Sequence, residues 1–249
     1  MKVLVANPNT SAGVTERLVA SAKLVASPGT QLLPMTASYG VPYIATRAEA
    51  AIGATAALEM LASQRGKIDA AIVAAFGDPG LGGARELFDF PVVGMAEAAM
   101  LMACTLGRRF GIVSFSRSLE PWFSEIVAWH GMTGRCAAIR TLDEGFRTID
   151  DVQEEKEAVL IDLALRTVKN DAADVIILAG APLSGLANKI ADRVPVPLVD
   201  GIQAATVMAE GLVRMQPRKA TAGTFRRPAP KDSKGLAAAL ADVIGHRDS

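Results

Sequence analysis

The sequence predicts an α/β chain of parallel strands covered by helices, and three observations carry that prediction. Short apolar runs alternate with longer helical patterns along the chain. Runs such as Ala70–Phe76 and Val175–Ala179 are continuously apolar, as strands buried on both faces require. Half of the 249 residues are apolar, enough to fill a large core.

In order, Lys2–Ala6 reads as the first strand, and the turn Pro8-Asn9-Thr10-Ser11 supplies an N-cap for a helix to about Ala26. Thr30–Met35 is the second strand, followed by a loop at 37–47 carrying Gly40 and Pro42. A long Ala-rich helix runs to about Gln64, and Asp69–Ala75 is the third strand. Further strands are expected near 91–93, 109–114, 136–140, 174–179 and 197–199, each followed by a helix. Gln216–Lys234, rich in Pro and basic residues, reads as a surface excursion before a last helix at about 235–245. No linker divides the chain, so 1–249 is read as one unit.

The chain also repeats itself. The segment from Asp69 to Ala75 resembles that from Asp174 to Gly180, 105 positions on, and Pro91–Ala99 resembles Pro197–Ala205, 106 positions on. A nearly constant offset predicts two pseudo-symmetric, Rossmann-like halves, roughly 1–100 plus 213–249 and 101–212. Strand carboxyl ends then face each other, and an active site between the halves is expected there.

Composition excludes several function classes. Lys+Arg and Asp+Glu both total 26, so no basic field draws the chain to nucleic acid or a membrane surface. The apolar runs are too short for a membrane span. The chain opens directly on a strand without the pattern of a secretory leader, and a cytoplasmic location is expected. Cys104 and Cys136 match no metal or redox spacing, and His130 and His246 lie far apart, so no metal site or cofactor is expected.

Several polar residues sit where a ligand site is expected. Asn9, Thr10 and Ser11 follow a strand and open a helix, a place where N–H groups and hydroxyls meet an anion, although Thr10 or Ser11 also serves as the helix cap. Ser114 and Phe115 occupy the matching turn of the second half. Tyr43, Thr46 and Arg47 follow the Gly40/Pro42 loop; the Arg47 fork suits a carboxylate, or is a solvated first-turn residue, and Tyr43 is a lid or ordinary packing. Asp78 is a candidate acid or base, with a turn or helix-cap role as the competing reading. Glu86 and Glu97 read as structural, and His130 as a helix-end cap.

Four segments together resemble the aspartate/glutamate racemase superfamily in its hydantoin/allantoin racemase branch. They are Asn7–Ser11, Ala74–Leu81 (Ala-Ala-Phe-Gly-Asp-Pro-Gly-Leu), Gly94–Ala99 and Leu178–Pro182; Arg135–Arg140 is also similar. The resemblance covers about residues 1–212. It implies a substrate held by the Asn9–Ser11 turn and by small hydroxyl residues at the matching turn, where Ser114 fits and Phe115 departs. It also implies two cysteines, one on each face of the substrate, giving and taking a proton. Those two positions hold Ala75 and Gly180 here, and neither side chain transfers a proton. The small residues are expected to enlarge the pocket for a ring-bearing substrate.

The expected function is therefore an enzyme acting on a small carboxylate or cyclic ureide by non-cysteine chemistry: ring opening, decarboxylation, or another lyase or hydrolase step. Backbone N–H groups near Ala75–Gly77 and Gly180–Ala181, with Ser114 and Thr10, would stabilise the developing anion, and Phe76, Gly77, Phe115, Ala181 and Pro182 are carried as substrate-contacting residues. Asp78, Tyr43 and Ser114 are carried as candidate catalytic residues. Two alternatives stay open, a racemase using Asp78 or Tyr43 as its base and a small-ligand-binding protein without chemistry. A homo-oligomer is expected.

Overall fold

The computed structural model describes residues 1–143 and 145–247. Sheet one contains β1 (Lys2–Asn7), β2 (Gln31–Thr36), β3 (Ala70–Val73) and β4 (Val92–Gly94) in the order β2-β1-β3-β4. Sheet two contains β5 (Phe110–Ser114), β6 (Cys136–Thr141), β7 (Val175–Leu178) and β8 (Leu198–Asp200) in the order β6-β5-β7-β8. Every pairing is parallel. The same strand order twice is the architecture that the internal repeat predicts.

The central strands β3, β5 and β7 are buried at every residue, which explains why they are apolar up to Ser114 at the end of β5. Pairing of Ala6 with Val73 and of Val113 with Leu178 brings β1 and β3, and β5 and β7, to their carboxyl ends side by side. Ala74 N then donates to Ala6 O and Ala179 N to Val113 O, both at 2.8 Å, so the two pairs of ends match each other in detail.

In the first half, α1 (Ala12–Lys23) is capped by Ser11, whose Oγ accepts from Val14 N. Helix α2 (Arg47–Ser63) is capped by Thr46 in a capping box with Glu49. The short α3 (Leu81–Leu87) precedes α4 (Met95–Leu106). In the second half, α5 (Glu120–Trp129), α6 (Val152–Asp171) and the single turn α7 (Leu186–Lys189) precede α8 (Gly201–Met215). The two helices that end the halves change places. Helix α4 follows sheet one but packs against β5, β7 and β8, whereas α8 follows sheet two but packs against β1, β3 and β4. They also pack on each other, and this exchange joins the two halves. Residues 216–234 carry no helix or strand, and α9 (Ala238–Ile244) closes over α2.

A glycine marks how tightly α6 sits on sheet two. A Cβ at Gly111 would stand 2.5 Å from Thr167 Cγ2 and 3.0 Å from Ile176 Cδ1. Thr167 is β-branched, and its Oγ1 is fixed by donating to Leu163 O, so it has little room to give. Gly111→Ala is expected to destabilise the protein by about 1–3 kcal/mol. Urea denaturation should show a lower midpoint with an unchanged slope.

Candidate active site

The turn after β1 is locked from within. Asn7 Nδ2 donates to Asn9 Oδ1 (2.9 Å), Ser11 O (3.1 Å) and Thr15 Oγ1 (2.9 Å). Ser11 N donates to the same Asn9 Oδ1 at 2.9 Å. Asn9 is thus held by its oxygen, and its Nδ2 group is the end that remains to donate to a ligand. In the matching place of the second half, the Ser114 hydroxyl donates to Ala179 O at 2.8 Å and ties β5 to the exit of β7. The turn after β3 closes with Asp78 N donating to Ala75 O, and the turn after β7 with Leu183 N donating to Gly180 O. These bonds do not use the N–H groups of Phe76, Gly77 and Ala181.

These turns enclose one cavity between the halves. Among the residues singled out in the sequence, Asn9, Tyr43, Ala75, Phe76, Phe115, Gly180, Ala181 and Pro182 line it. The two positions that the family resemblance assigns to thiols therefore face a common space. That space is small, however. It measures about 30 Å³, room for a water molecule or two. The physical reason is Phe115, whose Cε1 lies 2.8 Å from where a Cβ on Gly180 would stand. Sequence reading also missed Ile44, Leu119, Trp122 and Phe123, which complete the lining. Phe76 and Phe123 meet edge to face at 4.9 Å, and the Trp122 ring covers Gly77 so closely that a Cβ there would lie 2.2 Å from Cζ2. The signal for Leu119, Trp122 and Phe123 was an apolar face on the segment after the Ser114–Ser116 turn, and nothing marked Ile44.

The other candidates are engaged away from the cavity lining. Thr10 N donates to Val41 O. Ser11 caps α1 and donates to Asp150 Oδ1 at 2.8 Å. Thr46 caps α2. Arg47 holds Glu125 of α5 through Nε and Nη2, at 2.9 and 2.5 Å, with its side chain 63% exposed. That guanidinium serves a surface pair between the halves, in place of a ligand carboxylate. Ser114 is fully buried under its bond to Ala179.

Asp78 is also committed elsewhere. Its backbone is left-handed (φ 49), and its carboxylate accepts from Ala96 N and Glu97 N, both at 2.8 Å. It thereby caps α4, whose own N-cap, Gly94, has no side chain to offer. From the second half, His130 Nε2 approaches Asp78 Oδ2 at 3.2 Å, while Nδ1 lies 3.6 Å from Glu97 Oε1. Arg85 completes the cluster, with Nη1 3.0 Å from Glu97 Oε1. His130 is therefore a partner across the halves, beyond the helix-end role read from sequence. Burial opposes its charge, but the hydrogen bonds and charges of Asp78 and Glu97 prevail and raise its pKa to about 9. Burial likewise opposes ionisation of Glu97, and His130 and Arg85 overcome it, lowering the pKa to about 2.

The cysteines lie outside the cavity lining. Cys104 is on α4, and burial pushes the Cys136 thiol up to about 11 against the partly offsetting charge of Arg109. Among the described residues, no cluster of three or more His, Cys, Asp or Glu could hold a metal ion, and no helix is long and apolar enough to cross a membrane.

Two matching parallel-sheet halves around a strand-end cavity define the class, and comparison with known proteins agrees. The chain belongs to the Asp/Glu/Hydantoin racemase family, whose model matches residues 3–209. It is similar to a hydantoin racemase of Paenarthrobacter aurescens, 32% identical over 233 residues that cover 93% of this chain and 99% of the relative. Its fold matches the allantoin racemase from Klebsiella pneumoniae with a TM-score of 0.91 at 33% identity, covering 96% of this chain and 98% of that one. Arylmalonate decarboxylase shares the fold alone, with a TM-score of 0.60 at 16% identity over 85% or more of each chain.

The ionic cluster sets a pH window. A raised His130 pKa adds stability that is fully present below about 6.5 and is lost as pH rises through about 9. A lowered Glu97 pKa adds stability present above about 4.5 and lost as pH falls through about 2. Denaturation midpoints measured against pH should therefore fall between pH 7 and 10, and His130→Gln should flatten that limb. Asp78→Ala should cost about 3 kcal/mol at pH 6, more than the ~1 kcal/mol of a lost cap, because His130 is left without its main partner.

Proposed function

We propose that this chain is a racemase of cyclic ureides of the hydantoin type that works without thiols, with the ring held between the two halves in this cavity, which widens from about 30 Å³ by displacement of the lining rings. The observation that carries this reading is the meeting of Ala75 and Phe76 with Gly180, Ala181 and Pro182 at one cavity, in a chain similar along nearly its full length to proteins named hydantoin racemase and allantoin racemase. The ring-opening, decarboxylating or other lyase or hydrolase step expected from the sequence finds no support in those relatives.

The reaction asks for little more than enolisation. The ring carbon beside a carbonyl loses its proton, the electron pair moves onto the carbonyl oxygen, and the planar enolate regains a proton on either face. Donors aimed at that oxygen lower the barrier. Asn9 Nδ2 and the N–H groups of Phe76 and Ala181 are the donors assigned here. Tyr43 is the one titratable side chain among the described residues lining the cavity, so the reading assigns it the proton transfer on one face, while solvent water supplies the proton on the other and takes up the one that Tyr43 releases. Asp78 is not assigned a catalytic role, because its carboxylate is occupied at the start of α4.

A second reading, ligand binding without turnover, is favoured by the lack of a titratable group at Ala75 and Gly180. Exchange of the ring α-hydrogen of 5-benzylhydantoin in heavy water separates the two. The racemase reading expects exchange above the protein-free rate, reduced roughly tenfold or more in Tyr43→Phe, in line with the weight of a general acid–base group. It also expects no change after alkylation of Cys104 and Cys136. Exchange no faster than the protein-free control, with calorimetric binding intact, would sink the racemase reading in favour of the second.

A further inference from the structure

Neither Ala75 nor Gly180 carries a proton-transferring side chain, and the two faces of the cavity differ in how. Ala75 keeps a methyl group on ordinary backbone, so its face is merely shortened. Gly180 has φ 115, a conformation that side-chain-bearing residues rarely adopt, and the space in front of it holds the Phe115 ring, 2.8 Å from a Cβ built there. This face is filled as well as emptied.

The Phe115 ring is itself fixed. It meets Phe146 edge to face at 5.4 Å, and Phe146 meets Tyr43 edge to face at 5.6 Å. The three rings run from the β5 turn of one half to the 37–46 loop of the other, and the outer two line the cavity. Such a row is held by ring–ring contacts rather than by hydrogen bonds, so a ligand that enters restores the lost contacts best if it brings a flat apolar group. A small alkyl group leaves the displaced rings without equivalent partners.

We propose that Phe115 is a specificity-determining residue. It stands where a side chain at 180 would project and presents an aromatic surface to that side of the ligand. The site then takes cyclic ureides carrying an aryl substituent in preference to those carrying a small alkyl one. The substrate class rests on the cyclic-ureide reading above; the placement of Phe115 does not.

The test has two arms, chosen so that the two readings fail separately. The first is a double-mutant cycle read by thermal denaturation. Gly180→Ala strains the backbone in any background, but only in the presence of Phe115 does the new methyl group also meet a ring. Its loss of Tm should be roughly halved in the Phe115→Ala background. Equal losses in both backgrounds would overturn the proposal. The second arm is calorimetric titration with 5-benzylhydantoin and 5-methylhydantoin. The benzyl compound should bind tighter, and Phe115→Ala should weaken it about tenfold while changing the methyl compound by no more than about twofold. Phe115→Leu, which keeps apolar volume and secures a folded variant, should weaken the benzyl compound in the same direction. Benzyl affinity unchanged in both variants overturns the specificity role. Coupling in the first arm with neither hydantoin bound upholds the placement of Phe115 and overturns the cyclic-ureide reading.

Discussion

The carboxylate of Asp78 is the constraint to which most of the site is tied. It sits on a left-handed turn residue, satisfies the first free N–H groups of α4, and takes His130 from the other half. Gly94 has to be glycine for this to happen, since a Cβ there would lie 2.4 Å from the Asp78 carboxyl carbon. Helix α4 then runs on to cover sheet two, and α5, which carries His130 just past its end, lays Trp122 and Phe123 over Gly77 and Phe76. One carboxylate thus couples the β3 turn, the helix that crosses between halves and the aromatic wall of the cavity.

The second half solves the same problem locally. Asp200 ends β8 and caps α8 itself, accepting from Ile202 N and Gln203 N. It also accepts from Gly185 N and from Ser21 Oγ of the first half, while burial pushes its carboxyl above the usual range against those hydrogen bonds. The two halves share a strand order but not a capping scheme. This difference explains why the turn after β3 needs a conspicuous Gly-Asp-Pro-Gly sequence, whereas the turn after β7 does not.

The chemistry follows the same asymmetry. A two-thiol relay requires two equivalent faces, and this chain has a methyl group on one and a phenyl ring on the other. What both faces still present is a turn with backbone N–H groups, the element that stabilises an anion once a proton has left. Under the proposed racemase reading, such a site polarises a ring carbonyl without fixing which face a proton leaves.

The sequence by itself determined the alternation of elements, the duplication and the strand-end location of the cavity. Each of these follows from local periodicity or from a repeat offset, which a linear chain records directly. The roles of individual polar residues were less legible, because Ser11, Thr46 and Asp78 look alike as caps or as ligand groups until their partners are known. Tertiary structure decided that Arg47 pairs with Glu125, that His130 reaches Asp78, and that Phe115 closes the space in front of Gly180. In each case the partner lies more than fifty positions away: the first two pairs bridge the halves, which α4 and α8 join by exchanging sheets, whereas Phe115 and Gly180 meet because β5 and β7 pair within sheet two.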